Sequence, residues 1–319
     1  MSDVTMLNVH KKYKGSKLAA LKRWGPVYIM MAPGLIYLFI NNYIPMAGIV
    51  SAFKKIDFNL GIWGSPWIGL KNFKFLFATD DAFIITRNTL LYNLAFIFIN
   101  MICGIFVAIL ITEIRNKVAK KIYQSMILVP FLMSMVILSY IVYAFFSGEN
   151  GFINNTILPL FGNTEGISWY SEPKYWPFII VIVNTWKGVG YGCLIYIATI
   201  NGIDKSLYEA ASLDGAGRLK QIRYILLPCL KGTVITLTLL SVGRIFYSDF
   251  GLFYQVTQNA GQLLRTTNVI DTYVYRALIT SGSIGMSAAA GFYQSVVGFC
   301  LVLISNLIVR KIDADSALF

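Results

Sequence analysis

The residues best placed to do chemistry in this 319-residue chain are the polar and charged groups inside its long apolar runs. Lys187 stands in Asn184-Thr185-Trp186-Lys187-Gly188-Val189-Gly190-Tyr191, and Arg244 and Asp249 flank Tyr247 in Arg244-Ile245-Phe246-Tyr247-Ser248-Asp249. An ionisable group at membrane depth costs roughly 2.5–3.5 kcal/mol on insertion scales, so it is expected to face a cavity or a partner. Asn184, Lys187, Tyr191, Arg244, Tyr247 and Asp249 are therefore the candidates for lining a polar passage. The glycines around Lys187 permit close helix packing or a local break. Two other arrangements use the same charges: an ion pair between helices, or Lys187 and Arg244 snorkelling toward head groups. Asn93 reads as a helix-packing hydrogen bond and is set aside.

Nothing in the chain suits bond-making. Its one histidine, His10, lies in a polar N-terminal stretch without a nearby partner. Cys103, Cys193, Cys229 and Cys300 fall at no metal-ligand or redox spacing and read as small packing residues. No paired carboxylates, Ser or Cys triad or His cluster stands at a catalytic spacing. No Gly-x-x-x-x-Gly-Lys-Ser/Thr loop occurs, so ATP phosphates are not cradled here in the usual way.

The elements that must position these residues are membrane helices. Hydrophobic residues make up 56% and charged residues 13% of the chain, with a mean hydropathy of +0.64, far more apolar than a soluble domain. Crossing a hydrocarbon core of about 30 Å takes roughly 20 apolar residues as a helix. Six such runs occur, at about 27–52, 89–112, 124–146, 177–200, 226–248 and 287–309. Backbone groups in lipid must be satisfied within their own segment, and runs this long do not alternate as barrel strands do, so the fold is expected to be all-α and polytopic.

Lys and Arg near membrane spans favour the cytoplasm. With the N-terminus inside, sixteen lie in the inner flanking pieces and eight in the outer ones. Both termini are therefore expected to be cytoplasmic. The same bias, with anionic lipid, accounts for most of the net charge of +12 without nucleic acid. The expected organisation is a basic tail over 1–25, a transmembrane region over 26–312 and a short cytoplasmic tail over 313–319. The first apolar run is too long for a signal-peptide core and is expected to be retained. Residues 53–88 and the Gly-, Asn- and Pro-bearing loop Ser147 to Trp176 read as outer connections, the former with aromatic residues suited to the head-group level. No internal repeat or low-complexity tract is present.

Between the fourth and fifth runs lies EAASLDGAGRLKQIRYILLP, from Glu209 to Pro228. Ser206-Leu207-Tyr208-Glu209 has the form of a capping box, which predicts a short helix from Leu207. Glu209 needs no partner beyond such a cap. Leu207, Ala210, Ala211 and Asp214 follow helical spacing, and Gly215 and Gly217 supply the backbone that stops the helix and turns the chain. The result is a small knob with a flat alanine face.

As a pattern the segment is Glu209-Ala210-Ala211, three residues, Gly215, nine residues, Ile225, one residue, Leu227 and Pro228. It resembles the cytoplasmic coupling motif of permease subunits in type I ATP-binding cassette importers, most closely the sugar and oligosaccharide branch, in which Asp214 and Ala216 flank the glycine. Trp63 to Phe73 and Arg87-Asn88-Thr89-Leu90 also resemble that branch. The resemblance runs from Trp24 to Ile312 and leaves out only the basic tail, residues 1–23.

The resemblance implies a type I importer permease fold with a coupling helix, in the plasma membrane of a prokaryote. It also implies alternating access, with no covalent chemistry in this chain, which binds no cofactor of its own. ATP and Mg would be bound by two separate ATPase subunits docked on Glu209, Ala210, Ala211, Asp214 and Gly215. A second permease, related but different, would enclose the pathway, and an extracellular solute-binding protein would deliver the sugar or oligosaccharide. For such a substrate, the six candidates offer hydrogen bonds for hydroxyls and aromatic faces for the apolar side of a ring. A permease for a non-sugar solute stays open. So does a self-contained secondary transporter with Lys187, Arg244 and Asp249 as coupling charges, although the inverted repeats and midplane carboxylates it calls for are not evident.

Overall fold

The computed structural model describes residues 17–162 and 165–312. His10, most of the basic tail and residues 313–319 lie outside the described residues. The chain divides into two compact units, residues 1–50 and 51–319.

In the first unit, α1 (Lys17–Leu38) carries Pro26 and Pro33 and continues through a π turn at Phe39–Tyr43. Ile29, Met30 and Tyr37 point outward, as suits a helix whose solvent is lipid.

The second unit is helical, and its only pairing between extended segments, among the described residues, is an isolated antiparallel bridge between Lys54 and Trp67. Lys54, in the outer connection 53–88, is buried; its Nζ donates to the carbonyls of Ile62 and Trp63 at 3.1 and 2.8 Å, the end of a short helical turn at Gly61–Gly64. Asn72, on α2 (Lys71–Ala78), donates to the carbonyls of Ala52 and Lys54.

α3 (Asp81–Glu113) is the longest helix, 33 residues and about 50 Å. It packs along α6 (Trp176–Asn201). Gly104 allows the approach: a Cβ there would stand 3.1 Å from the Tyr196 ring. Ala108, Ile111, Cys193, Tyr196, Ile197, Leu226 and Leu230 fill the contact with the following helix. Cys193 is the one buried cysteine; Cys229 and Cys300 are exposed, so packing inside the fold does not describe those two.

The third apolar run is not a single straight span. It forms α4 (Lys117–Leu132) and α5 (Met135–Phe146), which meet at 95°. Pro130 sits in the last turn of α4, Met133 and Ser134 are extended, and the Ser134 hydroxyl caps α5 by accepting from the Ile137 amide at 3.3 Å. These local signals override the apolar composition.

α6 is unbroken, so its glycines make no local break, and Gly190 serves close packing. A Cβ on Gly190 would fall 1.9 Å from the Ile127 carbonyl oxygen of α4. α7 (Lys205–Leu213) follows, and a continuous helix from Arg218 passes through a π turn at Ile222–Leu226 into α8 (Leu227–Val242). The fifth run therefore ends at Val242, short of 248, where Gly243 closes the helix. α9 (Ile270–Ile279) and α10 (Ile284–Ile312) complete the unit. Counting the bent pair as one, six segments among the described residues are long and apolar enough to cross a membrane.

Candidate functional site

A cleft of about 610 Å³ opens between α3, α6, α8 and the turn that follows α8. α3 contributes Asn93, Phe96, Ile97, Asn100 and Met101, one face at helical spacing. α6 contributes Asn184, Tyr191, Gly192, Ile195 and Tyr196; α8 contributes Leu237, Thr238 and Ser241. Arg244, Tyr247, Ser248 and Asp249 close one end from the non-helical turn.

Five of the six residues proposed from sequence thus share one cavity: Asn184, Tyr191, Arg244, Tyr247 and Asp249. Tyr191 stacks on Phe131 at 4.7 Å, which fixes its ring plane. No ion pair joins Arg244 to Asp249 among the described residues. Arg244 is exposed to the cleft, and Asp249 accepts the Leu252 amide at 3.1 Å.

Lys187 is elsewhere. Its ammonium donates to the carbonyls of Met133, Phe131 and Pro130 at 2.6, 3.1 and 3.4 Å. Those carbonyls lie at the end of α4, where Pro130 also accepts the Met133 amide at 3.3 Å, and a cation there meets the negative end of the helix dipole. Lys187 holds the bend between α4 and α5 and is not among the cleft-lining residues.

Two asparagines of the cleft were not among the residues proposed from sequence. Asn93, set aside above, donates to Ser248 Oγ at 3.2 Å and faces the cavity. Asn100 donates to Asn184 Oδ1 at 2.9 Å across the α3–α6 contact, and its own Oδ1 is buried without a hydrogen-bond partner among the described residues. An asparagine opposite another at matching depth is the only signal that sequence offers for this pair.

The turn at the end of α8 is held from behind. Asp271 of α9 accepts the Ser248 amide at 2.8 Å, and Gln294 of α10 donates to Asp271 at 3.2 Å and to the Phe246 carbonyl at 2.7 Å. Burial pushes the Asp271 carboxyl above its ordinary value, against the hydrogen bonds from Ser248 and Gln294.

The Glu209 segment forms an exposed knob. Its cap is Asp204 in place of Ser206: Asp204 Oδ1 accepts the Ser206 amide at 2.9 Å, and α7 begins at Lys205, two residues earlier than the capping box predicts. That hydrogen bond holds the Asp204 carboxyl below its ordinary value. Glu209 is left exposed, and its side chain makes no hydrogen bond or ion pair among the described residues. Ala210 and Asp214 are exposed and Ala211 is partly covered.

Gly215 ends α7 with φ +71°. The Ala216 amide reaches the Ala211 carbonyl at 2.8 Å and the Gly215 amide reaches Ser212 at 3.1 Å, the paired bonds of a Schellman close. Gly217 is extended, not left-handed, and starts the next helix. Leu213 and Leu219, 89% and 82% exposed, flank this turn and were missed from sequence.

The sequence and the overall fold are matched in known proteins. Residues 83–314 fit the family model of the binding-protein-dependent transport system inner membrane component. The chain belongs to this family. Protein LplB of Bacillus subtilis is 36% identical over 300 residues, covering 94% of this chain and 93% of that protein. The polygalacturonan/rhamnogalacturonan transport system permease protein YteP of the same organism is 34% identical over 292 residues, covering 91% and 89%. The crystal structure of a bacterial ABC transporter involved in import of the acidic polysaccharide alginate aligns with a TM-score of 0.83 at 30% identity, over 93% of this chain and 99% of that one. A second crystal structure, of the bacterial alginate ABC transporter in complex with its alginate pentasaccharide-bound periplasmic protein, aligns at 29% identity over 93% and 98%, again with a TM-score of 0.83. The fold is that of a type I importer permease.

Proposed function

We propose that this chain is the permease subunit of an ATP-driven importer of oligosaccharides, moving its substrate inward by alternating access. The observation that carries the reading is the knob: an Asp204-capped helix, closed by a left-handed Gly215, that leaves Glu209, Ala210, Asp214 and Leu213 facing away from the fold. Nothing among the described residues covers that surface. Two ATPase subunits, which bind ATP and Mg, dock on knobs of this kind in the assembled importer, and their closure tilts the helices that wall the cleft. With the knob in the cytoplasm, both termini are cytoplasmic too.

The cleft suits a sugar. Asn93, Asn184, Arg244 and Asp249 supply donors and acceptors for hydroxyls, and Tyr191 and Tyr247 supply aromatic faces. It stands open on one side, which fits enclosure by a second, related permease, and an extracellular binding protein delivers the substrate. The relatives that handle polygalacturonan, rhamnogalacturonan and alginate make acidic oligosaccharides the first to try.

The test is purification of the tagged chain from its host in mild detergent, with mass spectrometry of what co-elutes, followed by uptake of uronate and neutral oligosaccharides. A second permease and an ATPase are expected with the wild type, with the ATPase and uptake lost from Gly215→Val. Full uptake by that variant would overturn the reading.

A further inference from the structure

Glu113 closes α3, Arg218 opens the helix that becomes α8, and their side chains meet as a bidentate ion pair. Nε of Arg218 lies 2.9 and 2.8 Å from the two carboxylate oxygens of Glu113, and Nη2 reaches the same carboxylate. Neither charge suits its own helix. A carboxylate at a C-terminus meets the negative end of the dipole, and a guanidinium at an N-terminus meets the positive end. Each is favourable there only through the other. With side chains 53% and 33% exposed, such a pair adds little to stability. What it supplies is a fixed geometry between two helix ends.

The pair is also wired into the knob. Arg218 Nη1 donates to Gln221 Oε1 at 2.9 Å, and the buried Gln221 donates onward to Ser212 Oγ at 2.9 Å and to the Ala216 carbonyl at 3.1 Å. The guanidinium lies over the Tyr208 ring at 5.7 Å. The end of α7, the Gly215 turn, the start of the α8 helix and the end of α3 therefore form one network. Both helices then run to the cleft. From Glu113, α3 reaches Met101 in about 18 Å, and from Arg218 the other helix reaches Leu237 in about 29 Å.

We propose that the Glu113–Arg218 pair is the joint that makes α3 and α8 follow the knob together, so that one displacement moves two walls of the cleft. Glu113 and Arg218 are positioning residues and touch no solute. The proposal rests on the reading of the knob as the ATPase-docking surface.

The test uses the whole importer, with its second permease, ATPase and binding protein, reconstituted in liposomes. Three variants are compared: Glu113→Gln, Arg218→Gln and the double exchange Glu113→Arg with Arg218→Glu. The readout is solute taken up per ATP hydrolysed, a ratio that mere loss of folded protein does not move. Each single variant is expected to keep its ATPase subunits and lower the ratio about tenfold, within the usual range for coupled sites. The double exchange restores most of it, since it rebuilds the pair and places each charge at the helix end that favours it. An unchanged ratio in either single variant overturns the joint, and so does a double exchange that recovers nothing. A wild-type chain that captures no ATPase sinks the functional reading before any substitution is made, and the joint falls with it.

Discussion

The ammonium nitrogen of Lys187 lies 2.6 Å from the carbonyl oxygen of Met133, one residue beyond the end of α4. With Phe131 and Pro130 also accepting, one cation gathers the carbonyls at the end of a helix where it breaks. The 95° bend is thus built around a side chain from a different helix.

Lys187→Met is expected to destabilise the purified protein by about 1–3 kcal/mol, the loss of hydrogen bonds from a charged donor to partly buried carbonyls. Lys187→Arg keeps a cation and donors at the same place and should lose less. Thermal melts in detergent check the order, and limited proteolysis near Ser134 reports the bend directly. If Lys187→Met melts at or above the wild-type temperature, the clamp does not hold the bend.

The approach of α6 to α4 gives a sharper contrast. A Cβ on Gly190 would overlap the Ile127 backbone at 1.9 Å, whereas one on Gly192 would meet nothing within 4 Å. Gly190→Ala should cost about 1–3 kcal/mol or more, because backbone must move to admit it. Gly192→Ala should leave the melt unchanged. Equal melts for the two variants would mean that the helices are not in contact at Gly190.

How much of this was legible in the sequence depended on the range of the signal. Hydropathy summed over about twenty residues placed α3, α6 and α10 well, since a bilayer demands long apolar runs. The same sum hid the break at Ser134, because Met, Leu, Val and Phe dominate both sides of it. It also carried the fifth span past Gly243, where the structure turns. Local pattern named Gly215 for its backbone and was right about its left-handed φ. It chose Ser206 over Asp204 as the cap, because a capping box is a sequence pattern and the choice between two adjacent cap residues is settled by chain geometry. Five cleft residues were found as polar groups in apolar runs. Lys187 met the same criterion and went elsewhere, since a cation at membrane depth is satisfied equally by carbonyls at a helix end. Leu213 and Leu219 gave no signal, because leucine is conspicuous only once the fold leaves it uncovered.

Leu213 therefore offers a test of the knob that does not alter its backbone. The side chain is 89% exposed, so the chain's own stability should not depend on it. Leu213→Ser is expected to leave the melt of the permease in place and to weaken ATPase capture by about tenfold or more, the equivalent of about 1.5 kcal/mol or more of lost apolar burial. Titration of the purified ATPase onto immobilised permease measures it. Undiminished capture would place the docking surface away from the Gly215 turn.

Asp271 gives the knob's opposite number at the cleft, and its behaviour with pH has a definite sign. Its carboxylate ties the turn after α8 to α9 and α10 through Ser248 and Gln294. Burial raises its carboxyl above the ordinary aspartate value of 3.8. Between that value and the raised one the folded chain holds more protons than the unfolded chain, so stability falls as pH rises. The contribution is whole below the ordinary value and is lost as pH climbs through the raised one. The melting temperature of the wild type should therefore fall relative to Asp271→Asn across that window, and the gap should stay constant above it. Melts of both proteins in detergent over a pH series read this directly. A gap that moves the other way would mean that the hydrogen bonds from Ser248 and Gln294 outweigh burial, and that the turn beside Arg244 is held most firmly when Asp271 is charged.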